Sequence, residues 1–241
     1  MKAFSRLCCL VLLAGVAIPA FGQNHYIYMR SAVGQPWGQN TNENAMDDVF
    51  GSGAWTVEYY EYANPQALFT SATVFIFMEG GDTSFAAFSS FLSTNNSSLA
   101  SWINNGGRLL IISAPNDPLN SATVTLPDNI TLNSDAFYGS AANSAYANDT
   151  SNAIFSGPFA TAYYFTGDFF GHGYFTGSNV LAIMQSNLNE VVLGQAQVES
   201  GLMVFGGMTT DNFQLPQPAA HSLLDNIIYY TAFVSLPIGH G

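Results

Sequence analysis

The sequence predicts an α/β domain: a mostly parallel sheet with flanking helices and an irregular, loop-rich insertion in the middle. Three observations carry this expectation. Ala72 to Met78 (ATVFIFM) and Arg108 to Ser113 (RLLIIS) are near-continuous apolar runs rich in β-branched or aromatic residues, the form of strands covered on both faces. Helical stretches lie between such runs, and Gly pairs at Gly80-Gly81 and Gly106-Gly107 punctuate the element ends. From Pro115 to Gly177 the chain is rich in Asn, Ser, Thr, Gly and aromatics with no sustained helical period, which reads as short strands and long loops.

Taken in order, His25 to Ala32 is a β-prone run, followed by a polar loop and a short helix over Thr41 to Phe50. Trp55 to Tyr62 is a second strand and Ala72 to Met78 a third, which stops abruptly at Glu79-Gly80-Gly81-Asp82. A helix over Ser84 to Leu92 is interrupted by the polar stretch Ser93 to Ser98, and a second short helical piece ends at Asn104. The strand Arg108 to Ser113 follows. Short strands are expected at Val124 to Leu126 and Thr161 to Phe165, then at Asn179 to Met184, Glu190 to Gly194 and Gly201 to Gly206. Leu223, Leu224, Ile227, Ile228 and Thr231 recur at helical spacing, so Ala219 to Phe233 closes the domain as an amphipathic helix.

The 241 residues carry 4 Lys+Arg against 16 Asp+Glu, with 14% aromatic and 8% charged residues. Enough aromatic mass is present for a core, and disorder as a global description is excluded. With so little basic charge no stripe could neutralise phosphates or anionic lipid, which argues against nucleic acid as a partner. Residues 1–22 read as an export signal: Lys2 and Arg6, the apolar run Leu7 to Ile18, then Ala20 and Gly22 ahead of a cleavage site before Gln23. The run is too short for a membrane span. The expected product is a secreted single domain, 23–241, holding Arg30 and Arg108 as its basic residues besides histidine; Cys8 and Cys9 leave with the signal.

Four stretches together resemble the class I glutamine amidotransferase-like superfamily. They are Thr73 to Gly81 (TVFIFMEGG), Leu99 to Pro115 (LASWINNGGRLLIISAP), Asn152 to Phe159 (NAIFSGPF) and Gly201 to Tyr230. The order is most similar to its cysteine-free branch of trehalose-utilisation-type proteins, and implies a flavodoxin-like sheet. In an active glutaminase of that superfamily a cysteine follows the fourth strand, and a His and a Glu follow a late strand. The corresponding positions here fall near Ser113-Ala114-Pro115 and Met208-Thr209-Thr210-Asp211, so glutaminase chemistry, which needs a thiolate, is not expected.

In open α/β sheets ligands sit beyond the carboxyl ends of the strands. That rule nominates Glu79, Gly80, Gly81 and Asp82, then Ser113, Asn116 and Asp117, then Thr209 and Asp211. Asp82 and Asp117 equally fit turn residues or helix caps. Asp168 to Gly173 (DFFGHG) sets His172 between two glycines in an expected loop, where it could act as a general base with Asp168 or Asp211 orienting it. No D-x-D-x-D-G loop occurs, so no metal and no cofactor is nominated. Ser113 lies outside any G-x-S-x-G context, which disfavours an esterase. Two functions fit best: a secreted binding or structural domain for a glycan or an extracellular protein, or a carbohydrate-active hydrolase or isomerase-like enzyme using His172, Glu79 and Asp211. A matrix or adhesive role is a third, suggested by the Asn/Ser/Gly-rich composition.

Overall fold

A computed structural model describes residues 24–115, 123–134 and 142–235. The expected export signal, and Asn116 and Asp117, lie outside the described residues. In chain order the elements are β1 (His25–Arg30), α1 (Thr41–Phe50), β2 (Thr56–Tyr59), α2 (Pro65–Leu68), β3 (Thr73–Glu79), α3 (Phe85–Asn104), β4 (Arg108–Ile112), β5 (Thr123–Thr125), β6 (Thr131–Ser134) and β7 (Ala142–Ala147). They continue with β8 (Tyr164–Gly171), β9 (Gly173–Thr176), β10 (Leu181–Ser186), β11 (Val191–Val198), β12 (Gly201–Gly206) and α4 (Ala219–Phe233).

The twelve strands among the described residues form one mixed sheet with the main order β2-β1-β3-β4-β12-β11-β10-β7-β8. The first five run parallel, as the buried apolar runs predict. From β11 onward the neighbours are antiparallel, so the expected mostly parallel sheet is a parallel half joined to an antiparallel half. β5, β6 and β9 form a small antiparallel branch attached through β11.

Alternation along the central strands divides the core in two. Phe75 and Phe77 of β3, Leu110 and Ile112 of β4, and Leu202 and Val204 of β12 face a cluster that takes in Met46 of α1 and Leu223 and Ile227 of α4. Ile76 and Met78, Leu109 and Ile111, and Met203 and Phe205 face the other way, against Phe88, Leu92, Trp102 and Ile103 of α3. Each such fully buried side chain contributes about 1.5–3 kcal/mol. Coverage on both faces is why these strands lack a polar alternation.

Two differences from the sequence expectation have clear physical causes. α3 runs unbroken from Phe85 to Asn104 through the polar stretch Ser93 to Ser98. Its polar side chains bond back to the helix, Ser93 Oγ and Thr94 Oγ1 to the Ser90 carbonyl and Asn95 Nδ2 to that of Phe91, so the stretch forms a wet helix face rather than a break. In the middle region, β7 (ANSAYA) and the longer β8 (YFTGDFFG) pair along a ribbon that mixes buried and exposed residues without a regular alternation, a weaker signal than a continuous apolar run. The Gly157 to Phe159 segment is held against α4 by Asn226, which accepts from the Phe159 N–H at 3.1 Å and donates to its carbonyl at 2.7 Å.

Candidate functional site

The carboxyl ends of β1, β3, β4 and β12 meet at one edge of the parallel half, where the strand order turns from β1 to β2 on one side and β3 on the other. Glu79 ends β3 and is almost wholly buried. Its Oε1 accepts from the Gly81 N–H at 2.5 Å and its Oε2 from Asn42 Nδ2 at 2.6 Å. Tyr60 donates its hydroxyl to the Glu79 carbonyl at 2.9 Å. Burial outweighs the two donors and pushes the carboxyl up to about 8. Gly80 and Gly81 are required by close approach: a Cβ on Gly80 would stand 2.6 Å from Phe88 and one on Gly81 2.7 Å from Glu79 Oε1. Ser113 is fully buried and donates to the Gly80 carbonyl at 2.8 Å, so its hydroxyl ties β4 to β3. Asp82, with a left-handed φ of 43°, accepts from the Trp37 N–H at 2.8 Å and so acts as a turn residue anchoring the β1–α1 loop.

His172 stands between β8 and β9 at a strand-to-strand junction rather than in the expected loop. Its backbone N–H donates to the Gly207 carbonyl, and its ring lies between Phe169 (6.2 Å between centroids, 16° between planes) and Trp37 (6.4 Å). Burial lowers its pKa, so the ring is neutral at physiological pH. Thr209 donates to the Phe169 carbonyl at 2.7 Å and thereby fixes this aromatic wall, whose outer end is Phe213, edge-on to Trp37.

Asp211 does not orient His172. Its Oδ2 lies 2.7 Å from His221 Nδ1, while the other ring nitrogen lies 3.0 Å from Asp48 Oδ2 and 3.8 Å from Asp225 Oδ1. The Asp211 hydrogen bond, assisted by Asp48, raises His221 to about 9, and burial raises Asp225 to about 7. A cavity of about 10 Å³, close to the room of one water, is lined by Asn42, Thr209, Asp211 and Gln214. The three residues nominated for catalysis therefore have separate partners: Glu79 holds Asn42 and the Gly81 amide, Asp211 holds His221, and His172 sits in the aromatic wall.

Sequence reading missed Asn42, Asp48, His221 and Asp225 as members of these groups. His221 and Asp225 stand four apart on one helix, a visible spacing, but their partner Asp48 is 173 positions from His221 and no local pattern joins them. Along β7 and β8, a groove is lined by Ser144, Tyr164, Asp168, Phe169, Asn212 and Leu215, where Tyr164, Phe169 and Leu215 stay exposed.

No protein-family model and no characterised protein sequence matches the chain. Its backbone is similar to that of a GMP synthase-type protein from Thermoplasma acidophilum, with a TM-score of 0.52 and 9% identity over 86% of this chain and 92% of that one. A cytoplasmic protein from Salmonella typhimurium matches with a TM-score of 0.50 and 12% identity over 87% and 99% of the two chains. A β-galactosidase from Bacillus circulans sp. alkalophilus matches at a TM-score of 0.49 and 9% identity, over 86% of this chain and 30% of its own. At such identities the first two likenesses are of fold, and the chain shares the mixed α/β fold of these proteins over most of its length.

Proposed function

We propose that the chain is an exported, single-domain protein of the amidotransferase-like, flavodoxin-like class that binds a neutral glycan and carries out no glutaminase reaction. The strand order β2-β1-β3-β4-β12 in the parallel half supports the flavodoxin-like reading, because it reproduces the doubly wound order 2-1-3-4-5. The turn after β4 offers Ser113, bonded to a backbone carbonyl, in place of a thiol nucleophile.

The observation that carries the binding reading is the groove beside the crevice. Exposed Tyr164 and Phe169 provide flat faces for sugar rings, and Asn143, Asp168 and Asn212 provide the hydroxyl-matching donors and acceptors around them. Among the described residues no lysine or arginine lines it, so a phosphate or carboxylate ligand would find no counter-charge there. Binding is favoured over turnover because Glu79 has both oxygens engaged and Asp211 is committed to His221.

The test is affinity electrophoresis and calorimetry of the purified protein against a panel of neutral polysaccharides and oligosaccharides. Retention by at least one is expected, with Phe169→Ala and Tyr164→Ala each weakening it about tenfold, or ~1.4 kcal/mol. No retention across the panel at millimolar oligosaccharide, or unchanged affinity in both variants, overturns the reading.

A further inference from the structure

We propose that Asp48, His221 and Asp225 form a divalent-metal site that clamps α1 to α4. One donor atom from each residue lies within 4.8 Å of the other two. His221 Nε2 is 3.0 Å from Asp48 Oδ2 and 3.8 Å from Asp225 Oδ1. Bonds of about 2.1 Å to a tetrahedral ion would set such atoms roughly 3.4 Å apart, between the 3.0 Å of the Asp48 pair and the 3.8 Å of the Asp225 pair, so small shifts suffice, with Asp48 moving slightly away from the ring. Asp48 can make that shift, because its side chain is 53% exposed at the rim of the group.

The second, independent observation is Asp225. Its side chain is only 3% exposed, its Oδ1 is buried without a hydrogen-bond partner, and it faces the His221 ring from one turn along α4. A buried carboxylate oxygen with no donor is an unmet demand that a cation would meet. The histidine is also set up as a ligand. Asp211 holds Nδ1 at 2.7 Å, which fixes the ring and leaves Nε2 directed at the two carboxylates, the carboxylate–histidine arrangement that supports bound metals. Asp211 itself is anchored, since it lies buried in the 3-10 turn after β12.

One imidazole nitrogen with two carboxylate oxygens suits a borderline divalent ion such as Zn²⁺ or Mn²⁺ better than Ca²⁺, which takes six to eight oxygens. Three protein ligands leave at least one coordination position open toward solvent on the Asp48 side. The ion would join a helix from the start of the domain to the helix that closes it. This site is separate from the glycan groove and does not depend on it.

The experiment is to strip the purified protein with chelator, titrate it calorimetrically with ZnCl₂, MnCl₂ and CaCl₂, and count retained metal by mass spectrometry after gel filtration. One Zn²⁺ per chain is expected, with Ca²⁺ at least about 100-fold weaker. Asp225→Asn and His221→Gln should abolish stoichiometric retention, and Asp48→Ala should weaken binding about tenfold or more. Zn²⁺ should raise the Tm of the wild type and of the exposed control Asp149→Asn, but not of Asp225→Asn. Asp48 is a surface residue, so its alanine variant keeps the test decisive if substitution of the buried Asp225 unfolds the chain. Absence of 1:1 binding at 100-micromolar metal, or wild-type affinity in Asp48→Ala, shows that His221 merely pairs with its carboxylates as a protonated imidazole and overturns the proposal.

Discussion

Replacing Glu79 by Gln isolates the energetics of the buried carboxyl at the end of β3. In the fold this group titrates near 8, because burial opposes its ionisation more than the Asn42 and Gly81 donors favour it. In the unfolded chain it titrates near its ordinary value of 4.5. The folded pKa is thus the raised one, so this group's contribution to stability is complete below about pH 4.5 and is lost as pH rises toward 8. Over that window the fold holds a proton that the unfolded chain has released. The slope is about 1.4 kcal/mol per pH unit, and the whole loss is on the order of 5 kcal/mol.

Gln has almost the same shape and no titration. Its amide nitrogen cannot accept the hydrogen bond that one Glu79 oxygen takes, which costs about 1–3 kcal/mol at every pH. Urea unfolding of both proteins from pH 5 to pH 8 therefore has a definite expected form. The wild type is the more stable at pH 5, the difference narrows steadily, and the variant overtakes it below pH 8. Taking the difference removes the other titrating groups common to both chains. A flat difference curve refutes the reasoning. One that rises with pH reverses it, showing that the two short hydrogen bonds outweigh burial and that Glu79 is ionised in the fold.

Asn226→Ala releases both backbone groups of Phe159 and leaves them without their partner, so a loss of roughly 2–3 kcal/mol in urea unfolding is expected, with early proteolysis in the 150–160 region as a second readout. Gly207→Ala places a Cβ 1.8 Å from the Gly173 carbonyl oxygen, and neither backbone can yield cheaply. It should cost more than about 3 kcal/mol or prevent folding, whereas Gly34→Ala, with nothing within 4 Å, should unfold within about 0.5 kcal/mol of the wild type.

What was legible in the sequence follows from how each element is buried. β3, β4 and β12 are covered on both faces and announce themselves as continuous apolar runs, and α4 shows its period because one stripe meets the sheet. The strand-end rule located Glu79, Ser113, Thr209 and Asp211 at one edge, since topology alone puts them there. It could not assign partners. The sequence sets Asp211 beyond a late strand and His172 in a loop that could bring the two together, but the fold turns the carboxylate toward α4, where His221 waits ten residues on. β7 and β8 escaped notice in part because half their residues face solvent, and the Asn, Ser and Thr that suit that face also suit loops.

The same contrast bears on where a ligand would be held. At the parallel edge, four of the polar side chains are spent on the fold: Glu79 on Asn42 and Gly81, Ser113 on Gly80, Thr209 on Phe169, Asp82 on Trp37. Thr210 Oγ1 and Asp211 Oδ1 stay without a hydrogen-bond partner there, but the cavity beside Asp211 has room for about one water and not for a sugar ring. At the far end, β8 is the last strand of the main order, and its outer side is covered in part: Thr166 exchanges two hydrogen bonds with Leu215, Thr209 donates to the Phe169 and Phe170 carbonyls, and Gly171 bridges to Met208. The part of this edge left uncovered, beside exposed aromatics, would invite uncontrolled pairing unless its flank were polar. Asp168 and Asn212 line the groove at that flank, so the groove combines open aromatic faces with groups that deter strand addition. On the proposed reading, that combination suits a flat, hydroxylated ligand better than another strand, and it would place recognition on the antiparallel half rather than in the crevice of the parallel half.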